Sequence, residues 1–246
     1  EHVLVQSNGV AQWIRLSLAQ DREQGGAGIA AALQTELPSS FLWRAYRAVL
    51  GDDAVPATSP FDKSLLVWRL MRLLPQLLAE PVFAPLSRFL QDDTDLRKRH
   101  QLAERLADLF DQYQVYRADW LADWAAGQDQ ILTSRAGPQP VPPELRWQRR
   151  LWRALQEDVG PALAGTSRAA VHQRFLARAA EIPEDAPPPG LPRRLLMFGI
   201  SSLPQQSLEV LATLARWTQV LMCVHNPSEH DWSHIVADKD LLRAEA

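Results

Sequence analysis

Two short apolar runs, Val3-Leu4-Val5 near the start and Leu195-Leu196-Met197-Phe198 near the end, each give way to small polar residues and then to a helix-periodic stretch. The first predicts a strand over residues 3–6 and a helix over residues 10–19, with Val10, Trp13, Ile14 and Leu18 spaced for one buried face. Asn8 and Gly9 suit the start of that helix. The second predicts a strand over residues 195–200, a helix over 204–217 and a further strand over 219–225. Another strand is expected between residues 28 and 37, where 30–33 are equally compatible with helix. Pro38-Ser39-Ser40 then opens a helix through Phe41, Leu42, Trp43, Tyr46 and Leu50.

Between residues 62 and 182 the period is helical throughout, over 63–78, 83–90, 95–116, 120–126, 143–159 and 168–182, with no strand signal. The longest of these sets Leu96, Ala103, Leu106, Phe110 and Tyr113 on one face with Leu102 and Leu109 beside it, the pattern of a bundle helix. Proline-rich stretches at 136–143 and 183–192 punctuate the run, the second marking the return to the sheet. The order is therefore β-α-β-α, a helical insertion, then β-α-β, and the short βα connections favour a parallel sheet with right-handed crossovers.

Composition narrows the picture modestly. The 246 residues are 46% hydrophobic, enough for one large or two smaller cores, and the formal charge of -3 provides no global attraction to nucleic acid. A single cysteine, Cys223, excludes an internal disulfide and favours a reducing compartment, so cytoplasm is expected. No apolar stretch approaches bilayer length, so no membrane partner is expected. The first residue is Glu1 and a strand follows almost at once, the pattern expected of a piece of a longer protein.

In α/β nucleotide-binding folds, ligands sit beyond the carboxyl ends of the strands. The loops expected there, residues 6–9, 38–40, 201–205 and 225–228, offer amides, hydroxyls and helix starts that suit phosphate oxygens and base edges; the same groups also serve as plain helix caps. No G-x-x-x-x-G-K-[ST] phosphate loop occurs, and Phe198-Gly199-Ile200-Ser201 stands where a magnesium-holding carboxylate would end a strand. The expected fold class is accordingly α/β, a partial P-loop-helicase-like parallel sheet with a large all-helical insertion. Its expected divisions are 1–55 and 191–246 for the two parts of a sheet domain and 56–190 for the insertion.

Aromatic and basic residues interleave at Trp43-Arg44-Ala45-Tyr46-Arg47, over residues 113–120 and at Arg146-Trp147-Gln148-Arg149-Arg150-Leu151-Trp152-Arg153. Such mixtures can stack on bases and pair with phosphates. Leu151, Trp152, Leu155 and Val159 share one helical face, however, which favours a core with solvated arginines. Asp108 and Asp111, with Gln112 beside them, could do acid–base work, accept from cytosine amino groups or form a solvated helix face. His230 and His234 stand at i and i+4 but lack a third ligand and the expected Glu, so no metal is assigned.

The runs Val3-Leu4-Val5-Gln6-Ser7, Gly9-Val10-Ala11-Gln12-Trp13, Leu74-Pro75-Gln76-Leu77-Leu78, Ala107-Asp108-Leu109-Phe110-Asp111-Gln112-Tyr113, Val115-Tyr116-Arg117 and Pro189-Gly190-Leu191-Pro192, together with Gly199-Ile200-Ser201 and Leu203-Pro204, resemble the amino-terminal, helicase-like region of the RecC family, the exodeoxyribonuclease V gamma chains. The resemblance spans nearly the whole chain and is weakest at 20–34, 51–61 and 128–143. It implies a catalytically inactive, DNA-binding part of the RecBCD helicase-nuclease, acting in double-strand break repair and recombination by guiding single-stranded DNA and reading Chi. Its implied partners are that strand and the beta and alpha subunits, which would use ATP and magnesium; no cofactor is implied for this chain and no catalytic residue.

Carried onto this sequence, the family's strand-reading surface would use Gln6, Gln12, Leu37, Trp43, Asp108, Leu109, Asp111, Gln112, Arg117 and Arg168. Asn8 joins them but departs from the family pattern, which has threonine there; its amide both donates and accepts. Two other readings stand beside this one. One is an NTPase whose Walker A motif lies outside the sequence, against which Gly199 and Ile200 argue; the other is a helical interaction scaffold that holds motor subunits without touching bases.

Overall fold

Val3, Leu4 and Val5 are buried in strand β1 (His2–Val5) of the computed structural model, which describes residues 1–133 and 137–224. Ser7, in extended conformation, then caps helix α1 (Asn8–Ala19): its hydroxyl accepts from the Val10 N–H at 3.3 Å, so the helix starts before the expected residue 10. Ala11 and Ile14 turn inward, but Trp13 is 57% exposed and stacks on the Phe198 ring at 6.0 Å. The buried stripe of α1 is thus narrower than its apolar spacing predicts. Strand β2 (Gln34–Glu36) is short, and residues 30–33 are not helical, Ala32 standing at φ 53°. Pro38 occupies the first position of α2 (Pro38–Leu50), where its missing N–H has no partner to lose.

The helical run comprises α3 (Lys63–Leu77), α4 (Ala84–Phe89), α5 (Arg97–Tyr116), α6 (Ala118–Ala125), α7 (Arg146–Val159), the single turn α8 (Pro161–Ala164) and α9 (Arg168–Glu181). It is not all-helical as expected: between α6 and α7, β3 (Gln130–Thr133) and β4 (Gly137–Pro140) pair antiparallel. The hairpin is held from outside its own sequence, since the indole N–H groups of Trp120 and Trp124 donate to the carbonyls of Leu132 and Gln130 at 2.9 and 3.0 Å. Two-stranded pairing leaves open edges, which makes Pro138 and Pro140 tolerable in β4.

Two further expectations fail against the structure. Leu96 is not on the buried face of α5; it stands at φ 62° before the helix and is exposed, while the Asp93 carboxylate accepts from the N–H groups of Lys98 and Arg99 at 2.9 and 3.0 Å. The arginines of α7 are not simply solvated. Arg150 forms a two-bond pair with Glu80, Arg149 and Arg153 both pair with Asp129, and Arg153 also donates to the Trp124 carbonyl. Burial alone would raise the Asp129 carboxyl, but the hydrogen bonds from Arg149 and Arg153 outweigh it and hold the group below the usual carboxylate range.

The apolar face of α7 does form core as its spacing predicts. Trp152 is fully buried between the rings of Phe61 and Phe110, at 5.2 and 5.5 Å, and its N–H donates to the Leu121 carbonyl at 3.1 Å. Leu151 and Leu155 lie beside it, as do Leu70 and Leu74 of α3.

After α9 the chain enters β5 (Arg194–Phe198), α10 (Gln205–Leu214) and β6 (Gln219–Cys223). The four-stranded sheet has the order β2-β1-β5-β6, with β1 parallel to both β2 and β5, so the class is α/β with the entire helical run inserted between two strands of one sheet. By internal contacts the chain forms a sheet unit of Glu1–Leu37, Arg194–Leu203 and the described residues from 220 on, and a helical unit of Pro38–Arg193 and Pro204–Gln219. Among the described residues no helix is long and apolar enough to cross a membrane.

Candidate functional site

Parallel register decides what the sheet unit offers. Leu4 pairs with Glu36 and Val5 with Phe198, so Gln6, Leu37 and Gly199 all leave the carboxyl ends of adjacent strands at one edge. Gln6 and Asn8 are exposed there, Gln12 lies one turn beyond Asn8 on the same face of α1, and Leu37 is half-buried. Gly199 makes the turn at φ 65°, a conformation that a side chain would strain. The loops of this edge carry amides, hydroxyls and backbone donors, with no lysine or carboxylate in residues 6–9 or 199–204. That chemistry binds oxygens and base edges rather than activating a nucleophile. The expected loop at 225–228 and the His230 and His234 pair lie outside the described residues.

The helical unit holds a different kind of cluster. Ser167 caps α9 by accepting from the Ala170 N–H at 3.3 Å, which places Arg168 in the first turn. Its guanidinium lies between the carboxylates of Asp62, at 3.1 Å, and Asp111, at 3.0 Å. Three residues before Asp111 on α5, Asp108 pairs with Lys63, and their hydrogen bond raises the Lys63 ammonium above its ordinary value. Leu109 is half-buried and packs against the core, whereas Gln112 faces solvent. Past the end of α5 the exposed Arg117 sits over the Trp120 ring at 5.3 Å from its centre.

Trp43 is less free than an open stacking platform would be. Its indole N–H is shared between the carbonyls of Pro56 and Ala57 at 3.0 and 3.1 Å, and its ring meets Tyr46 edge-on at 6.1 Å. The ring is half-buried, so its remaining face is what it can offer to a ligand. Each unit therefore gathers its own subset: Gln6, Asn8, Gln12 and Leu37 in one, and Trp43, Asp108, Leu109, Asp111, Gln112, Arg117 and Arg168 in the other.

Several residues that organise the helical cluster were not singled out from the sequence. Asp62 and Lys63 act only through partners far along the chain. Gln114 and His172 did carry a signal: each falls on a helix face whose other members are buried, beside Ala107 and Phe110 in α5 and beside Ala169 and Phe175 in α9. A polar group at a core position must find partners inside. Burial also pushes the Tyr46 hydroxyl well above the usual phenol range, with the nearby Arg168 charge pulling the other way and Glu209 adding to the rise.

Comparison with known proteins gives one consistent result. The family described as RecC, N-terminal domain, matches residues 1–246. RecBCD enzyme subunit RecC of Escherichia coli (strain K12) is 40% identical over 238 residues, covering 96% of this chain and 20% of the relative. The Haemophilus influenzae protein of the same name is 36% identical over 246 residues, covering 95% of this chain and 21% of its own. That of Mycolicibacterium smegmatis is 29% identical over 251 residues, 98% of this chain and 20% of the relative. The chain spans about a fifth of the length of these curated relatives.

Proposed function

On the premise that the chain belongs to the RecC N-terminal domain family, we propose that it is the DNA-binding, catalytically inactive helicase-like part of a RecBCD subunit, acting in break repair and recombination. In this reading the sheet domain is built from residues 1–55 and 191–246 and the helical insertion from 56–190. The observation that carries it is the chemistry of the strand-end edge: a parallel sheet whose loops after β1 and β5 hold Gln6, Asn8, Gly199 and Ser201, with neither the lysine nor the carboxylates that a phosphate-and-magnesium site requires. Such an edge keeps the capacity to bind and loses the means to hold magnesium or a triphosphate.

The strand is single-stranded DNA from an unwound duplex end. Gln6, Asn8, Gln12 and Gln112 supply donors and acceptors for base edges, and Asp108 and Asp111 supply acceptors; Trp43, Leu37 and Leu109 offer apolar surface to bases; Arg117 and Arg168 hold phosphate or guanine. Reading of Chi belongs to this surface. The chain uses no cofactor of its own, ATP and magnesium serving the alpha and beta subunits with which it assembles, and it acts in the cytoplasm.

The test is binding of labelled single-stranded DNA to the full-length protein in its complex, at low and moderate salt, for wild type and for a Trp43→Ala, Arg117→Ala double variant. Loss of a stacking group and a phosphate contact should weaken binding by about tenfold or more and flatten its salt dependence. Unchanged affinity with disturbed assembly would favour the scaffold reading instead. ATP hydrolysis by the full-length subunit alone would revive the NTPase reading.

A further inference from the structure

Arg168 owes its place to groups that no ligand would touch. Gln114 is fully buried on α5, and its side-chain carbonyl accepts from the backbone N–H of Arg168 at 3.1 Å while its amide donates to the Phe61 carbonyl at 3.0 Å. The backbone carbonyl of Gln114 in turn accepts from the Gln206 side chain of α10 at 3.3 Å. The Arg168 N–H is one of the first donors of α9, which have no partner within the helix, so an outside acceptor fixes where the helix begins.

One turn further along α9, His172 is 1% exposed and bridges two other helices. Its Nε2 lies 2.9 Å from the Glu209 carboxylate of α10, and its Nδ1 lies 3.0 Å from the Tyr46 hydroxyl of α2. A carboxylate only accepts, so Nε2 carries a proton toward Glu209, while Nδ1 and the Tyr46 hydroxyl share the second hydrogen bond, and both ring nitrogens are engaged. Tyr46 meets the edge of Trp43, so this hydrogen bond ties the α2 turn that bears Trp43 to the α9 turn that bears Arg168.

We propose that Gln114 and His172 are positioning residues of the strand-binding surface, fixing the first turn of α9 so that Arg168 and Trp43 are held in one geometry before a strand arrives. The inference rests on the strand-binding reading above. Neither residue touches the strand; both act by removing freedom that binding would otherwise have to remove. Gln114 sets the height of Arg168 along α9, and His172 sets the rotation of α9 against α2.

The test uses the full-length protein in its complex, a labelled single-stranded oligonucleotide, and the variants Gln114→Met and His172→Phe, each alone and combined with Arg168→Ala. Each single variant should weaken binding about five- to tenfold, and that loss should disappear in the Arg168→Ala background, as coupled residues require. Thermal unfolding, measured in parallel, should fall equally in both backgrounds. His172→Asn, whose side-chain amide can replace Nδ1 toward Tyr46, should recover most of the affinity; Gln114→Leu, which removes the same two hydrogen bonds without adding a charge, serves if Gln114→Met does not fold. Losses that persist undiminished without Arg168, or wild-type binding by both variants while Arg168→Ala binds weakly, would overturn the proposal alone. Full binding by Arg168→Ala itself would overturn the strand-binding reading and the proposal with it.

Discussion

The strand-end edge of the sheet unit and the charged cluster of the helical unit solve the problem of presenting polar groups in opposite ways. At the edge, Gln6, Asn8 and Gln12 project into solvent from a strand end and one helix face, and the backbone beneath them is fixed by sheet register and by the Ser7 cap. In the helical unit the proposed contact groups are already engaged, Arg168 with Asp62 and Asp111, Asp108 with Lys63, and Arg117 with the Trp120 face. A ligand at the edge gains contacts against water alone. A ligand at the cluster must exchange contacts that exist, so what it gains is set by how well those partners hold the geometry it needs. Substitutions should therefore separate stability from binding at the edge and mix the two in the helical unit.

The largest loss should come from damage to the core beneath the cluster. Trp152→Ala should cost the helical unit about 3–5 kcal/mol, since it empties the space between Phe61 and Phe110 and leaves the Leu121 carbonyl without its donor. Chemical denaturation of the full-length protein checks this; a loss below about 1 kcal/mol would mean that the unit does not depend on that stack. At the edge, the largest effect available is removal of the cap: Ser7→Ala should cost about 1 kcal/mol and disorder the first turn of α1, visible as faster amide exchange at Val10.

A smaller effect separates the units by pH. Asp129, held below its ordinary value by Arg149 and Arg153, contributes stability that is present above the unfolded carboxylate value and is lost as pH falls through the lower, folded one. The helical unit should therefore lose stability as pH falls below about 4, and Asp129→Asn should flatten that part of the profile. Because this carboxylate is more than half exposed, solvent screening keeps the contribution small. A melting profile over that range that is the same for the variant and the wild type would remove Asp129 from the account.

How much of this was legible beforehand follows the same division. The sheet unit was readable because apolar runs and small polar junctions are local signals: β1, α1, β5 and β6 lie where periodicity puts them, and the α7 core face was visible in the spacing of Leu151, Trp152 and Leu155. What escaped was non-local. The β3–β4 hairpin depends on indole donors from α6, the Leu96 turn depends on the Asp93 carboxylate, and the α7 arginines find acids at Glu80 and Asp129. Resemblance reached residues such as Asp111 and Arg168 individually, but their direct pairing, the second pairing of Arg168 with Asp62, and the placing of Arg168 by Gln114 needed the packed helices.

The finest test of the comparison uses the mildest substitutions. Gln6→Ala and Gln12→Ala remove exposed amides whose backbone is fixed by other groups, so each should change stability by no more than about 0.5 kcal/mol. If the edge reads bases, the same changes should lower affinity for single-stranded DNA by about three- to tenfold each, with the loss depending on oligonucleotide sequence and hardly on salt, because a base-edge contact releases no counterion. Arg117→Ala in the helical unit should do the reverse, weakening binding to every sequence alike and reducing the salt slope by about one ion. Uniform losses from the glutamine variants would make the edge a phosphate contact, and the contrast drawn between the two units would then fail at the strand, whatever their stabilities show.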